Sequence, residues 1–198
     1  MTPAVDTRTS RSEASAARRG KAGTARGYAR SPAPPLRRLG AVHLFAGVLL
    51  VDPRGWVLLQ ERDEHPVIDP ECWGLPGGHL DPPEEATEAF ETAAYRELAE
   101  ETGLLLPAGS LELWRDARVW HQAYRSLDRM QVWVGATTAS DADVVVGEGR
   151  RIVFVDPEQV PLLPLTGSAR LFVPRFLHSV TYRRLAAAAK VLPGAGRP

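Results

Sequence analysis

Two runs rich in Val and Leu, Leu44–Val51 and residues 56–60, are separated by Asp52-Pro53-Arg54-Gly55, four residues in which no strand can continue. Apolar runs of strand length flanking a Pro/Gly turn predict a β-hairpin. Similar runs predict strands at 111–119, 130–137 and 151–155. Between them, Trp73-Gly74-Leu75-Pro76-Gly77-Gly78 cannot end as a helix, whereas the acidic stretch after it reads as one, closed by Gly103 as a left-handed cap. Thr166 or Ser168 opens a further predicted helix to Leu177, which Pro174 should bend or split, and residues 182–191 predict a last helix. Strands and helices interleaved in this order, without an internal repeat, predict one α/β domain.

Composition bounds what such a domain does. The 198 residues hold a single cysteine, Cys72, so no internal disulfide forms and a reducing, cytoplasmic setting is expected. No apolar run approaches the ~18 residues of a membrane span, so the sequence argues against a membrane role. The 24 basic and 24 acidic residues cancel overall but not locally. Residues 1–38 carry nine Arg or Lys against Asp6 and Glu13, with almost no large apolar side chains, and are expected to be a disordered basic arm. A leader without function, an arm for nucleic acid and an organelle transit peptide share that composition. The folded domain is expected over 39–180, with a C-terminal helix and tail over 181–198. Its acidic balance argues against nucleic acid as a partner of the folded part.

The chemistry concentrates in Arg96-Glu97-Leu98-Ala99-Glu100-Glu101-Thr102-Gly103-Leu104. At ~100° per residue, Glu97, Glu100 and Glu101 fall within roughly a 100° arc, with Tyr95, Leu98, Ala99 and Thr102 opposite. Like charges so spaced destabilise a helix. Such a face suits either a solvated acidic surface or a site for a hard cation that prefers carboxylate oxygens.

In the company of Gly77-Gly78 upstream, this stretch resembles the box of the Nudix hydrolases: a Gly, a Glu, then Arg-Glu-apolar-x-Glu-Glu-x-Gly-apolar. The second half matches from Arg96 to Leu104. The first half departs by four extra residues between Gly78 and Arg96: counting back from Arg96 gives Glu88, counting forward from Gly78 gives Glu84. A lengthened loop that leaves Glu88 in the box is the preferred placement. Asp81-Pro82-Pro83-Glu84 also reads as a helix start. The resemblance implies an α/β/α sandwich with a central mixed sheet. It also implies hydrolysis of a diphosphate bond in a nucleoside diphosphate derivative, by water activated on Mg²⁺ or Mn²⁺. It makes Gly77, Glu97, Glu100 and Glu101 metal ligands, with Arg96 orienting Glu97. It allows a homodimer. Oxidised nucleoside triphosphates, nucleotide sugars, ADP-ribose and dinucleoside polyphosphates all fit the substrate class. A non-catalytic binding or sensor module for a nucleotide-like ligand is the alternative.

Members of this family often recruit a further acid after the box. Glu148, between Gly147 and Gly149, is the candidate, in competition with Asp141 and Asp143. For the substrate, strict alternation along 111–120 places Glu112, Trp114, Asp116, Arg118 and Trp120 on one face. Trp120 and, on the next strand, Trp133 are therefore expected to stack a base, with Arg62 expected at phosphate.

Overall fold

The computed structural model describes residues 42–80 and 89–193. The basic arm, the Asp81–Glu84 start and the choice between Glu84 and Glu88 lie outside the described residues.

One seven-stranded mixed sheet organises the domain. The strands are β1 (Leu44–Val51), β2 (Val57–Glu61), β3 (Trp73–Gly74), β4 (Gly77–His79), β5 (Glu112–His121), β6 (Ser126–Ala136) and β7 (Arg151–Val155). The main path runs β3-β2-β1-β6-β5, with β4 on β1 and β7 on β2. β1 and β6 pair in parallel over eight residues, from Leu44 opposite Arg129 to Val51 opposite Ala136, and the other named pairs are antiparallel.

Both faces of the sheet are covered, which is why β1 and β2 read as unbroken apolar runs rather than alternating ones. Helix α1 (Phe90–Thr102) sets Ala93, Ala94 and Leu98 on Ala46, Val48, Leu50 and Leu58. On the opposite face α2 (Gly167–Leu177) and α3 (Val180–Ala189) bury Phe172, Val173, Phe176 and Leu185 against Leu49, Val51, Val57 and Leu59. The result is the expected α/β/α sandwich.

Local chemistry sets the ends of the elements. In the turn after β1, both Asp52 carboxylate oxygens are used: Oδ1 accepts the N–H groups of Arg54 and Trp56, and Oδ2 accepts Arg54 Nε–H. Thr166 and Ser179 cap α2 and α3, their hydroxyl oxygens accepting the N–H groups of Ala169 and Tyr182. Gly103 closes α1 at φ 69°, as the sequence predicted. Pro174 does not split α2: the carbonyl it leaves unbonded is that of Arg170, an exposed residue that water can serve.

Two expectations for the sheet need correction. β6 begins at Ser126 rather than near Met130, because a buried polar residue, Asp128, hides its first turns from an apolar pattern. β5 carries a bulge: Leu113 lies opposite Trp133 but Arg115 lies opposite Val132, so Trp114 is the extra residue. Alternation changes phase there. Trp114 turns into the core beside Phe172 and Phe176, while Trp120 falls on the other face and is 46% exposed. Trp114 and Trp120 therefore do not share a face.

Candidate active site

Two glycines let the chain approach closely enough to build the site. In β4, Gly77 has φ 140°, and a Cβ there would lie 2.1 Å from the carbonyl oxygen of Ala46 in β1. At Gly78 a Cβ would lie 2.6 Å from both carboxylate oxygens of Glu97. No side chain fits at Gly77, and one at Gly78 would push the Glu97 carboxylate away, so α1 rests its carboxylates directly on the backbone of β4.

Glu101 is only 6% exposed, and its Oε2 accepts the N–H of Gly77 at 2.9 Å. Burial pushes its carboxyl up to about 8, and the nearby Glu97 and Glu148 add to the rise against the Gly77 N–H and Arg62. Arg96 spans this corner. Its Nη1–H donates to Glu97 Oε1 at 2.9 Å and to Glu100 Oε2 at 3.1 Å, and its Nη2–H donates to the His79 carbonyl at 3.1 Å. The guanidinium thus fixes Glu97 relative to β4. Glu100 stands apart from the other two: its side chain is 60% exposed, and it meets the group through Arg96.

Glu148 reaches the same place by a different route. The loop before it hydrogen-bonds to the free carbonyls at the end of α1, Val145 N–H to Thr102 O at 2.9 Å and Gly147 N–H to Glu101 O at 2.7 Å. A Cβ on Gly147 would sit 2.2 Å from Glu100 O, so this docking also requires glycine. Of the two rivals, Asp141 accepts the Phe154 N–H and pairs with Arg54, and Asp143 closes its own turn on Ser140. Both are committed elsewhere.

Glu97, Glu101 and Glu148 line one cavity of about 390 Å³, together with Gly77, Gly78 and Arg62. Arg62 Nε is buried without a hydrogen-bond partner among the described residues. The oxygen-only donor set, with a buried carboxyl that resists ionisation, fits a hard cation. Among the described residues no three His, Cys, Asp or Glu side chains converge tightly enough to hold an ion by themselves.

The rest of the lining was not expected. Neither Trp120 nor Trp133 reaches the cavity: the bulge in β5 and the register of β6 place both on the α1 face of the sheet, where Trp133 packs against the α1 core. The aromatic groups that do line it are Phe45, His79, His121 and Tyr124, beside Met130. A signal for them existed. Phe45 alternates with Gly47 and Leu49, and His121 with Val119 and Ala117, once the bulge is placed.

Residues 42–176 match the family described as NUDIX domain. The chain belongs to this family. Among curated NUDIX relatives, the m7GpppN-mRNA hydrolase NUDT17 of Bos taurus is 38% identical over 91 residues, 46% of this chain and 28% of that protein. The chain therefore spans well under half the length of that relative. The RNA pyrophosphohydrolase of Rhodospirillum rubrum is 32% identical over 125 residues, covering 58% of this chain and 70% of that protein. Among solved structures, the MutT NUDIX hydrolase from Burkholderia pseudomallei superposes with a TM-score of 0.55 at 25% identity, over 66% of this chain and 95% of that one.

Proposed function

We propose that this NUDIX domain is a pyrophosphohydrolase that cleaves the diphosphate bond of a nucleoside diphosphate derivative with the aid of a divalent cation. The observation that carries the reading is the meeting of Glu97, buried Glu101 and Glu148 in one cavity. Carboxylates so placed repel a polyphosphate unless a cation reverses the local sign. Mg²⁺, with Mn²⁺ as a substitute, would be held by Glu97, Glu101 and the Gly77 carbonyl, with Glu100 available from the rim. When bound it would neutralise phosphate oxygens and lower the pKa of water.

The remaining work falls to this chain's own side chains. Arg96 keeps Glu97 facing β4, a positioning task that suits a planar guanidinium. Arg62 offers its unpaired Nε–H to a phosphate oxygen. Glu148 accepts the proton of the attacking water as oxygen bonds to phosphorus and the P–O–P bridge breaks, leaving two phosphate-bearing products. The names of the curated relatives add RNA-linked diphosphates to the substrates worth testing. Because α3 packs into the same core, the domain would run past residue 180, and removing residues 1–38 should leave turnover nearly unaltered.

A phosphate-release screen over a diphosphate panel, with and without Mg²⁺, tests the activity. Hydrolysis that needs the metal and is lost in Glu97→Gln supports it. No hydrolysis of any panel member, or equal turnover in the variant, overturns it.

A further inference from the structure

The cavity has a second end that the hydrolytic chemistry does not use. Phe45, His79, His121, Tyr124 and Met130 line it, with the His79 ring 4.2 Å from that of Phe45 at 41°. Phe45 lies opposite His79 in the β1–β4 register, two positions from the pair Gly47–Gly77, so this end begins about 7 Å along the strand from Gly77 at the ~3.4 Å rise of a strand.

His121 is held here by a buried carboxylate. It is 6% exposed, and its Nδ1 lies 2.6 Å from Oδ2 of fully buried Asp128. Oδ1 of Asp128 accepts the N–H of His43 at 2.9 Å, tying the carboxylate to the start of β1. Burial works to raise the Asp128 carboxyl, but the bonds from His43 and His121 outweigh it and hold it below the usual range. An ionised Asp128 accepts a hydrogen bond from Nδ1–H and thereby fixes both the ring's orientation and the nitrogen left over. That nitrogen, Nε2, has no hydrogen-bond partner among the described residues. The His121 and Phe45 rings lie 4.9 Å apart at 65°, so a flat group laid parallel to Phe45 meets His121 steeply, in position for a hydrogen bond rather than a stack.

We propose that this end is a nucleobase subsite, in which the base lies against Phe45 and Tyr124 while Nε2 of His121, oriented by Asp128, hydrogen-bonds to its polar edge. The inference rests on the reading of the domain as acting on nucleoside diphosphate derivatives. Stacking on an aromatic face accepts any base. A fixed ring nitrogen then discriminates among base edges, since a partner left unpaired in a buried site is costly. His121 is thus a specificity-determining residue and Asp128 its positioning residue.

Binding separates this from hydrolysis. Calorimetric titration compares AMP, GMP, CMP and UMP with ribose 5-phosphate, which lacks a base. At least one nucleotide should bind about tenfold tighter than ribose 5-phosphate, as one stacked base allows. In Phe45→Leu that margin should fall to about twofold or less, and in His121→Phe the four nucleotides should bind within about twofold of one another, with ribose 5-phosphate affinity unchanged in both. Asp128→Asn places an amide donor against Nδ1, which moves the ring proton to Nε2, and should reorder the four nucleotides without altering ribose 5-phosphate. Phe45→Leu decides if His121→Phe fails to fold. Equal binding of nucleotides and ribose 5-phosphate, a margin that survives in folded Phe45→Leu, or an unchanged ranking of the nucleotides in folded His121→Phe overturns the subsite. A margin present in a protein that hydrolyses nothing leaves the subsite standing and removes the hydrolase reading alone.

Discussion

The carboxylate of Glu101 accepts the backbone N–H of Gly77 at 2.9 Å, so the C-terminal turn of α1 is pinned to the glycine strand where negative charge is concentrated. A glutamine at position 101 keeps the shape and an oxygen that can accept the same N–H. Glu101→Gln should therefore leave the melting temperature unchanged or raised, since it removes a carboxyl whose ionisation burial disfavours. Turnover should fall by about 10²-fold or more, the scale of several kcal/mol of lost charge stabilisation. Steady-state kinetics beside a thermal melt would show it, and undiminished turnover would remove Glu101 from the site.

Cation binding should register on stability without any substrate. A ligand that binds the folded state alone raises the melting temperature with its concentration, by about 2.7 kcal/mol at a hundred times its dissociation constant. Titrating Mg²⁺ into chelator-treated protein should give a saturable rise, and the same titration of Glu97→Gln should give a smaller one. Superposable curves would argue against Glu97 as a ligand.

Gly147→Ala tests how Glu148 is placed. The new Cβ would lie 2.2 Å from Glu100 O, so the loop must lift from the end of α1. Expected are a loss of about 1–3 kcal/mol in denaturant unfolding and a fall in turnover comparable to that of Glu148→Gln. A variant with lowered stability but full turnover would mean that Glu148 acts without this docking.

The buried Asp128 should leave a mark at acid pH. Its carboxyl is held below the usual range in the folded protein, so the folded state binds fewer protons than the unfolded one near that range. Its contribution is present above the ordinary carboxylate value and is lost as pH falls through the folded one. Melting temperatures below about pH 4 should therefore fall more steeply for the wild-type protein than for Asp128→Asn. Parallel profiles would count against an ionised Asp128.

Much of this was legible in the residues themselves. Leu44–Val51 and Arg151–Val155 occupy the strands their apolar runs predicted, and Gly103 ends the helix it was expected to end. That Glu97 and Glu101 share one helix face followed from spacing, because a helix converts sequence offset into direction, while their expected role came from the resemblance to the box. Spacing could not separate Glu100, which lies within the same arc but is drawn out to Arg96 by an ion pair. The aromatic end was missed because one extra residue at Trp114 reverses the alternation of everything after it in β5. Nothing in a list of residues marks that bulge. Trp120 has the chemistry to stack a base and strict alternation would favour it, but the pairing of β5 with β6 turns it to the α1 face.

The parallel pairing of β1 with β6 also governs how the pocket comes into being. His43 and Asp128, whose hydrogen bond anchors the support of His121, are 85 positions apart in the chain. Contacts of such span pay their loop entropy before they return any stabilisation, and they form late. During synthesis the acidic helix can therefore fold against the first hairpin while the wall opposite is still missing, and a chain halted before residue 136 would carry the charges without the chamber that confines a ligand among them.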